Sequence, residues 1–294
     1  MSKSGNSRWR RFGLGLAVLL ALPALVHAQA DPQSRSENQP VQPFRIIGNI
    51  YYVGASDITS FLIATPSGNI LLDGGFAETA PQIEANIRRV GFRLEDVKFL
   101  LNSHAHYDHA GGLAELKKRT GAQVVAMEGD ATVLAGGGRG DFFLKTGFPA
   151  VKPDRVIHDG DTVSLGGMTM TAHRTAGHTR GCTSWSTVVT EDGKEYHVVF
   201  VGSLSVLQGY QLTGKESYPG IAADYEKSIR VLKALPCDVF LGPHGSFFDL
   251  TSKREALTKG ATPNPFIDPA GYREYLADSE DSFQAELQRQ RAAQ

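Results

Sequence analysis

The chain has 294 residues, with 30 Lys and Arg against 31 Asp and Glu, a formal charge of −1 and 41% hydrophobic residues. Its length suffices for one large domain or two small ones, and its apolar content is ordinary for a globular protein. The balanced charge and the lack of basic blocks argue against nucleic acid as a partner.

Residues 1–30 have the layout of a secretory signal. Arg8, Arg10 and Arg11 make a basic start, Phe12 to Val26 is an apolar run, and Ala28-Gln29-Ala30 is a small-x-small cleavage site. The run is too short, and too interrupted by Pro23, for a membrane span. Cleavage near Ala30 would leave 264 residues in the periplasm. It would also remove four cations (Lys3, Arg8, Arg10, Arg11), taking the formal charge from −1 to −5. Residues 31–43 are polar and bear proline, and are expected to form a flexible mature N-terminus. A single domain is expected from residue 44 to residue 294.

Within it, strands are expected at Ile46-Ile47, Ile50 to Val53, Ser60 to Ala64 and Ile70 to Leu72, separated by turn signals such as Gly48-Asn49 and Pro66-Ser67-Gly68-Asn69. Residues 79–90 read as a helix with Pro81 in its first turn. Val97 to Leu101 is a short buried strand, followed by a helix at 113–119, a strand at Gln123 to Ala126 and a helix at 128–135. A loop reaches from Gly136 to about Pro153. A second strand group follows at Val156-Ile157, Thr162 to Leu165, Met168 to Thr175, Thr183 to Thr190 and His197 to Val201, with a hairpin turn at Glu191-Asp192-Gly193. Helices at 221–235 and 269–291 flank a strand at Val239 to Leu241. Strands then helices, twice over, imply an α+β architecture of two sheets packed face to face with helices outside.

Between the strand at 97–101 and the helix at 113–119 lies His104-Ala105-His106-Tyr107-Asp108-His109, three imidazoles and a carboxylate in six residues. Neutral imidazole and carboxylate bind zinc in open catalytic sites, and a strand-to-helix loop is where a rigid scaffold presents chemistry. Two zincs with open positions need six ligands. His178 follows the turn Thr175-Ala176-Gly177, and His244 follows Leu241-Gly242-Pro243, each at a strand end. A lone histidine in such a place is more often structural, but the run at 104–109 reverses that weighting. His158, His173 and His197 have no such context and are taken as bystanders.

From about residue 44 to 250 the sequence resembles the metallo-β-lactamase superfamily. The motifs are His-x-His-x-Asp-His at 104–109, Gly177-His178-Thr179, Gly242-Pro243-His244 and Leu72-Asp73-Gly74-Gly75. The resemblance implies an αββα sandwich, one zinc held by His104, His106 and His178, and a second held by Asp108, His109 and His244. Asp73 is implied as a residue behind the ligands that steadies the site. Most hydrolases of this superfamily carry a bridging Asp at the strand end after Val198-Val199-Phe200-Val201-Gly202, where this chain has Ser203. Serine there, with Ser205 and Gly209-Tyr210-Gln211-Leu212 following, resembles the third subclass of the class B β-lactamases. That subclass implies hydrolysis of the β-lactam amide by a metal-bound hydroxide, with resistance to penicillins, cephalosporins and carbapenems as its consequence. Asp108, His104 and His106 would be catalytic, and Ser203 and Ser205 would bind the substrate carboxylate. The alternative is a secreted lactonase or another housekeeping hydrolase on the same scaffold.

The partners expected are therefore two zinc ions and small β-lactams, with no nucleic acid, no stable membrane anchor and a monomeric chain. Phe142, Phe143 and Phe148 in the 136–153 loop either close over an apolar substrate group or anchor into the core. Cys182 and Cys237 are expected to be unpaired. Cys182 starts its strand near the metal end and Cys237 lies at the far end of its own, whereas a disulfide needs Cα atoms within about 7 Å.

Overall fold

The computed structural model describes residues 36–143 and 146–294. The proposed signal sequence, and residues 31–35 of the expected N-terminal tail, lie outside them.

The first sheet has seven strands in sequence order: β1 Phe44–Ile47, β2 Ile50–Tyr52, β3 Phe61–Thr65, β4 Gly68–Leu72, β5 Val97–Leu101, β6 Gln123–Met127 and β7 Arg155–Ile157. Strands β1 to β4 pair antiparallel. From β4 onward the pairing is parallel. Parallel neighbours need crossovers, and helices supply them: α1 Ala80–Arg89, α2 Leu113–Thr120 and α3 Glu128–Gly136. The second sheet runs β12-β11-β10-β9-β8, built from β8 Thr162–Leu165, β9 Met168–Arg174, β10 Thr183–Glu191, β11 Lys194–Phe200 and β12 Val239–Leu241. Helices α4 Ile221–Ala234, α5 Leu250–Thr258 and α6 Pro269–Ala292 follow in the second half, and a single helical turn, Tyr107–Ala110, lies between β5 and α2. The expected α+β sandwich is the architecture observed.

The two-residue period of the strands divides the core. Phe61, Ile63, Ile70, Leu72, Leu101, Val125 and Met127 pack in one cluster with Ala172, Trp185, Val198 and Phe200 of the second sheet. The alternating residues Leu62, Leu71, Leu100, Val124 and Ala126 join a second cluster with Ile83, Ile87, Leu113, Leu116 and Leu134 of the helices. A sheet buried on both faces explains why these strands read as unbroken apolar runs.

The hairpin at 191–194 is a two-residue turn with positive φ at both central residues, Asp192 at 52° and Gly193 at 77°. That is the turn whose twist matches antiparallel strands. Strand β11 begins at Lys194, three residues before the expected start, because Glu195 and Tyr196 pair with Thr190 and Val189 at the sheet's exposed end. Helix α5 had no sequence signal that was recognised. Both cysteines are free, Cys182 buried and Cys237 partly so.

The expectation of a flexible N-terminal tail does not hold for residues 36–43. The Glu37 carbonyl accepts from the Asp57 and Ile58 amides at 2.9 and 3.2 Å, and Pro40 bridges Ala55. The Asn38 side-chain oxygen accepts from the Thr79 hydroxyl at 2.8 Å. Polar residues here serve as partners for the 55–58 loop rather than as a solvated tail.

Candidate metal centre

Strand direction gathers the candidate residues at one rim. Strands β4 and β5 are parallel, so Asp73 and the 102–109 segment leave the first sheet at the same end. Strands β9 and β11 both pair antiparallel to β10, and β12 pairs parallel to β11. Their C-terminal ends, which lead to His178, Ser203 and His244, therefore also lie together. Contacts between the sheets join the two rims. The Thr183 amide donates to the Ser103 carbonyl at 2.7 Å, and the Trp185 indole donates to the Asn102 carbonyl at 3.2 Å.

His104, His106 and His178 form a near-equilateral triangle, each pair of ring centroids 4.7 Å apart. Their ligand nitrogens lie within 4.8 Å of one another, and the same holds for the ligand atoms of His104, Asp108 and His109. His244 closes the second group: its Nε2 is 3.8 Å from Asp108 Oδ2, and its ring centroid is 5.0 Å from that of His109. His109 Nε2 is 3.2 Å from the same carboxylate oxygen. All six candidate ligands are thus brought together, in two adjoining groups of three.

The bystander histidines stand apart. His158 is on the surface against Glu128, His197 is exposed, and His173 bonds Ser186.

Among the described residues, five buried side-chain nitrogen or oxygen atoms have no hydrogen-bond partner. Three of them are His106 Nε2, His109 Nδ1 and His109 Nε2. A buried orphan nitrogen is costly unless a bound group satisfies it. Three imidazoles and a second set of two imidazoles and one carboxylate are the donor chemistry of zinc. The residues present fit zinc.

The comparisons with known proteins agree with this geometry. The family model described as metallo-beta-lactamase superfamily matches residues 53–244. The chain belongs to the metallo-β-lactamase superfamily. Among solved structures, the FEZ-1 metallo-β-lactamase of Legionella gormanii is 45% identical with a TM-score of 0.84, covering 86% of this chain and 98% of its own. The subclass B3 enzyme BJP-1 of Bradyrhizobium japonicum is 41% identical with a TM-score of 0.81, covering 87% and 97%. Curated sequence relatives include a hydroxyacylglutathione hydrolase of Rhodospirillum rubrum, 30% identical over 148 residues, covering 50% of this chain and 48% of the relative. The chain spans about half the length of the curated relatives it matches.

In this superfamily member the state of His104, His106 and His178 suits metal binding. Burial pushes His106 down to about 4, and His178 down to about 3. Burial and the neighbouring imidazoles put His104 well below its usual range. Neutral rings keep a lone pair for a metal. For Asp108, burial alone would raise the carboxyl, but the charge of the neighbouring His109 holds it below the usual carboxylate range. For His109, burial alone would lower the ring, and Asp108 more than offsets this and raises it.

His178 and His244 are each oriented by a neighbour. His178 Nδ1 donates to the Ser205 carbonyl at 2.7 Å, leaving Nε2 for the centre. His244 Nδ1 lies 2.9 Å from Asp57 Oδ2, leaving its Nε2 toward Asp108. Asp73 is buried with φ +64°, and one carboxylate oxygen accepts the Ser103 amide at 2.7 Å and the Asn102 side chain at 3.0 Å. It therefore braces the start of the histidine loop.

Sequence reasoning found Ser203 and Ser205 but not what they touch. Ser203 Oγ accepts the Ser205 amide at 3.3 Å, and the Ser205 carbonyl also accepts from the Tyr225 hydroxyl at 2.8 Å. Asp57 and Asp130 were missed altogether, and Tyr210 was noted only within the Gly209–Leu212 run, with no contact assigned to it. Tyr210 donates to the His178 carbonyl at 2.7 Å. Neither aspartate belongs to a motif. An acidic residue in a helix's first turn, as Asp130 is, reads as ordinary dipole compensation.

Of the two roles weighed for the 136–153 loop, anchoring is the one observed. Phe142 packs on Tyr210 and Tyr218 at 5.2 and 5.0 Å, Phe143 packs on Tyr210 at 4.8 Å, and Phe148 joins the helix-side core. The same loop carries Asp141, whose Oδ2 is 3.8 Å from His106 Nε2.

Proposed function

We propose that this protein is a zinc-dependent β-lactamase that opens the β-lactam amide bond of penicillins, cephalosporins and carbapenems. In this reading His104, His106 and His178 hold one zinc, and Asp108, His109 and His244 hold a second. Zinc in these positions supplies Lewis acidity toward a carbonyl oxygen and lowers the pKa of water to roughly 7. Asp108, kept ionised by His109, accepts a hydrogen bond from the attacking water and fixes its direction. The Ser205 hydroxyl donates to the carboxylate that β-lactams carry beside the scissile nitrogen. Ser203, whose Oγ accepts the Ser205 amide, keeps its own O–H free to donate to the same carboxylate directly or through water. No side chain here acts as nucleophile. The nearby thiol, Cys182, is fully buried and raised far above its usual range by burial, so it stays protonated. No covalent intermediate forms, and inhibitors aimed at a nucleophilic serine are without effect.

The observation that carries the choice of substrate is Ser203. It follows the strand end after β11, where the resemblance places a carboxylate in most of the superfamily, and its neutral side chain would leave a second zinc more open to substrate. The extent of similarity supports the same choice: the chain covers 98% of FEZ-1 but about half of the thioester hydrolases. Those 30% identical hydroxyacylglutathione hydrolases favour a second reading, hydrolysis of a thioester or lactone on this scaffold. Export to the periplasm by cleavage near Ala30, where β-lactams meet their targets, belongs to the first reading. No helix among the described residues is long and apolar enough to cross a membrane. The test is a ring-opening assay with a carbapenem before chelation, after it, and after zinc is restored. Activity that disappears and returns supports the proposal, whereas activity indifferent to chelation refutes it.

A further inference from the structure

One carboxylate away from the six candidate ligands touches both loops that carry the three-histidine group. Asp130 lies in the first turn of α3 and is 2% exposed. Its Oδ2 accepts the Ala105 amide at 2.8 Å and the Thr179 hydroxyl at 2.7 Å. Its Oδ1 accepts the Gly181 amide at 2.8 Å. Ala105 sits between His104 and His106, and Thr179 follows His178. These partners are 25, 49 and 51 residues away in sequence, so nothing local holds them together.

The backbone around Asp130 is shaped for this contact. A Cβ on Gly181 would come within 2.3 Å of the Asp130 nitrogen, and one on Gly129 within 2.4 Å of the Arg180 carbonyl. Side chains at either position would force the 178–181 loop away from the helix start. Burial raises the Asp130 carboxyl to about 6 while its bonds from Thr179, Ala105 and Gly181 pull the other way, so it is mostly ionised at neutral pH.

We propose that Asp130 is a positioning residue that sets the spacing of the three-histidine metal site, by tying the His104–His106 segment to the His178 loop through one buried carboxylate. The proposal rests on reading those histidines as metal ligands and is independent of the substrate. A metal needs its ligands held to within a few tenths of an ångström. His104 and His106 come from the first sheet and His178 from the second. Their separation therefore depends on whatever spans the two sheets at this rim, and Asp130 spans them with three hydrogen bonds.

The test measures zinc affinity by chelator competition, and the visible absorption of the cobalt(II)-substituted protein, for wild type, Asp130→Asn, Thr179→Val and Asp154→Asn. Asparagine keeps the volume but places an NH2 group against donors. Asp130→Asn is expected to weaken zinc binding roughly 10- to 100-fold and to shift the cobalt bands. Thr179→Val removes a single donor and is expected to shift the bands with a smaller loss of affinity. Asp154 is the control. It also binds a main-chain amide, that of Val124 at 2.8 Å, but pairs with Lys117 away from the histidines, and its variant is expected to bind zinc as wild type does. Zinc affinity and cobalt bands unchanged in Asp130→Asn, even with a lowered melting temperature, would overturn the proposal. If Asp130→Asn does not fold, unchanged bands in Thr179→Val would do so. Wild-type protein that takes up no zinc would remove the metal reading itself, a failure distinct from either.

Discussion

His244 and Asp57 meet at 2.9 Å, Nδ1 to Oδ2, although 187 residues separate them. The other Asp57 oxygen accepts the Ser246 amide at 2.7 Å, and its own amide donates to the Glu37 carbonyl. The N-terminal segment thus holds the aspartate, and the aspartate holds the histidine. Imidazoles that bind metals commonly donate their second nitrogen to a carboxylate, which fixes tautomer and ring direction. Asp57→Asn is expected to weaken binding of the second zinc roughly 10- to 100-fold with the first zinc retained. Zinc titration followed by metal analysis would show one tight site and one weakened site. Two unchanged sites would mean that His244 needs no such support.

His178→Ala removes one corner of the three-histidine triangle. Turnover should fall by several orders of magnitude with the fold kept, and bound zinc should drop from two to one. Two tightly held zincs with normal turnover would exclude His178 as a ligand.

The same variant exposes a pH effect in the metal-free protein. His178 is held down to about 3 when folded, against 6.5 in an ordinary environment. Below pH 6.5 the unfolded chain therefore takes up a proton that the folded chain refuses. Linkage makes this a loss of stability as pH falls, reaching about 3 kcal/mol near pH 4. Above pH 6.5 the term vanishes. His178→Ala lacks it, so chelated wild type should lose more melting temperature than the variant between pH 7 and pH 4. Parallel curves for the two proteins would contradict the buried, neutral state of the ring.

Ser203→Asp would place a carboxylate at the end of β11, as in the wider superfamily. Tighter retention of both metals against a chelator is expected, with slower lactam hydrolysis, because the second metal's open position is partly filled. An unchanged rate on carbapenems would show that Ser203 does not discriminate between substrate classes.

Much of this was legible because it is written in short sequence windows. Strand and helix positions followed from period-two runs and turn chemistry, as at Asp192-Gly193. The six candidate ligands followed from one dense run and two turn-borne histidines. The parts that were not legible depend on distance in sequence. Asp57 and Asp130 act through partners 187 and as many as 51 residues away, and no local pattern marks a carboxylate for such a contact. Residues 36–43 looked loose because polar, proline-bearing sequence usually is, yet the Glu37 carbonyl finds the Asp57 and Ile58 amides. The phenylalanines at 142 and 143 could equally have faced substrate. Only the placement of Tyr210 and Tyr218 decides that they anchor the loop.

The most direct test of the functional account is a paired assay of the zinc-loaded protein. A carbapenem and an S-2-hydroxyacylglutathione thioester would be offered separately, with an acyl-homoserine lactone as a third substrate, and kcat/KM measured for each. The account predicts lactam ring opening with kcat/KM at least about 10⁴ M⁻¹s⁻¹, within the ordinary enzyme range, and thioester and lactone turnover at least a hundredfold lower. Efficient hydrolysis of the thioester or the lactone, with the carbapenem left intact, would contradict it.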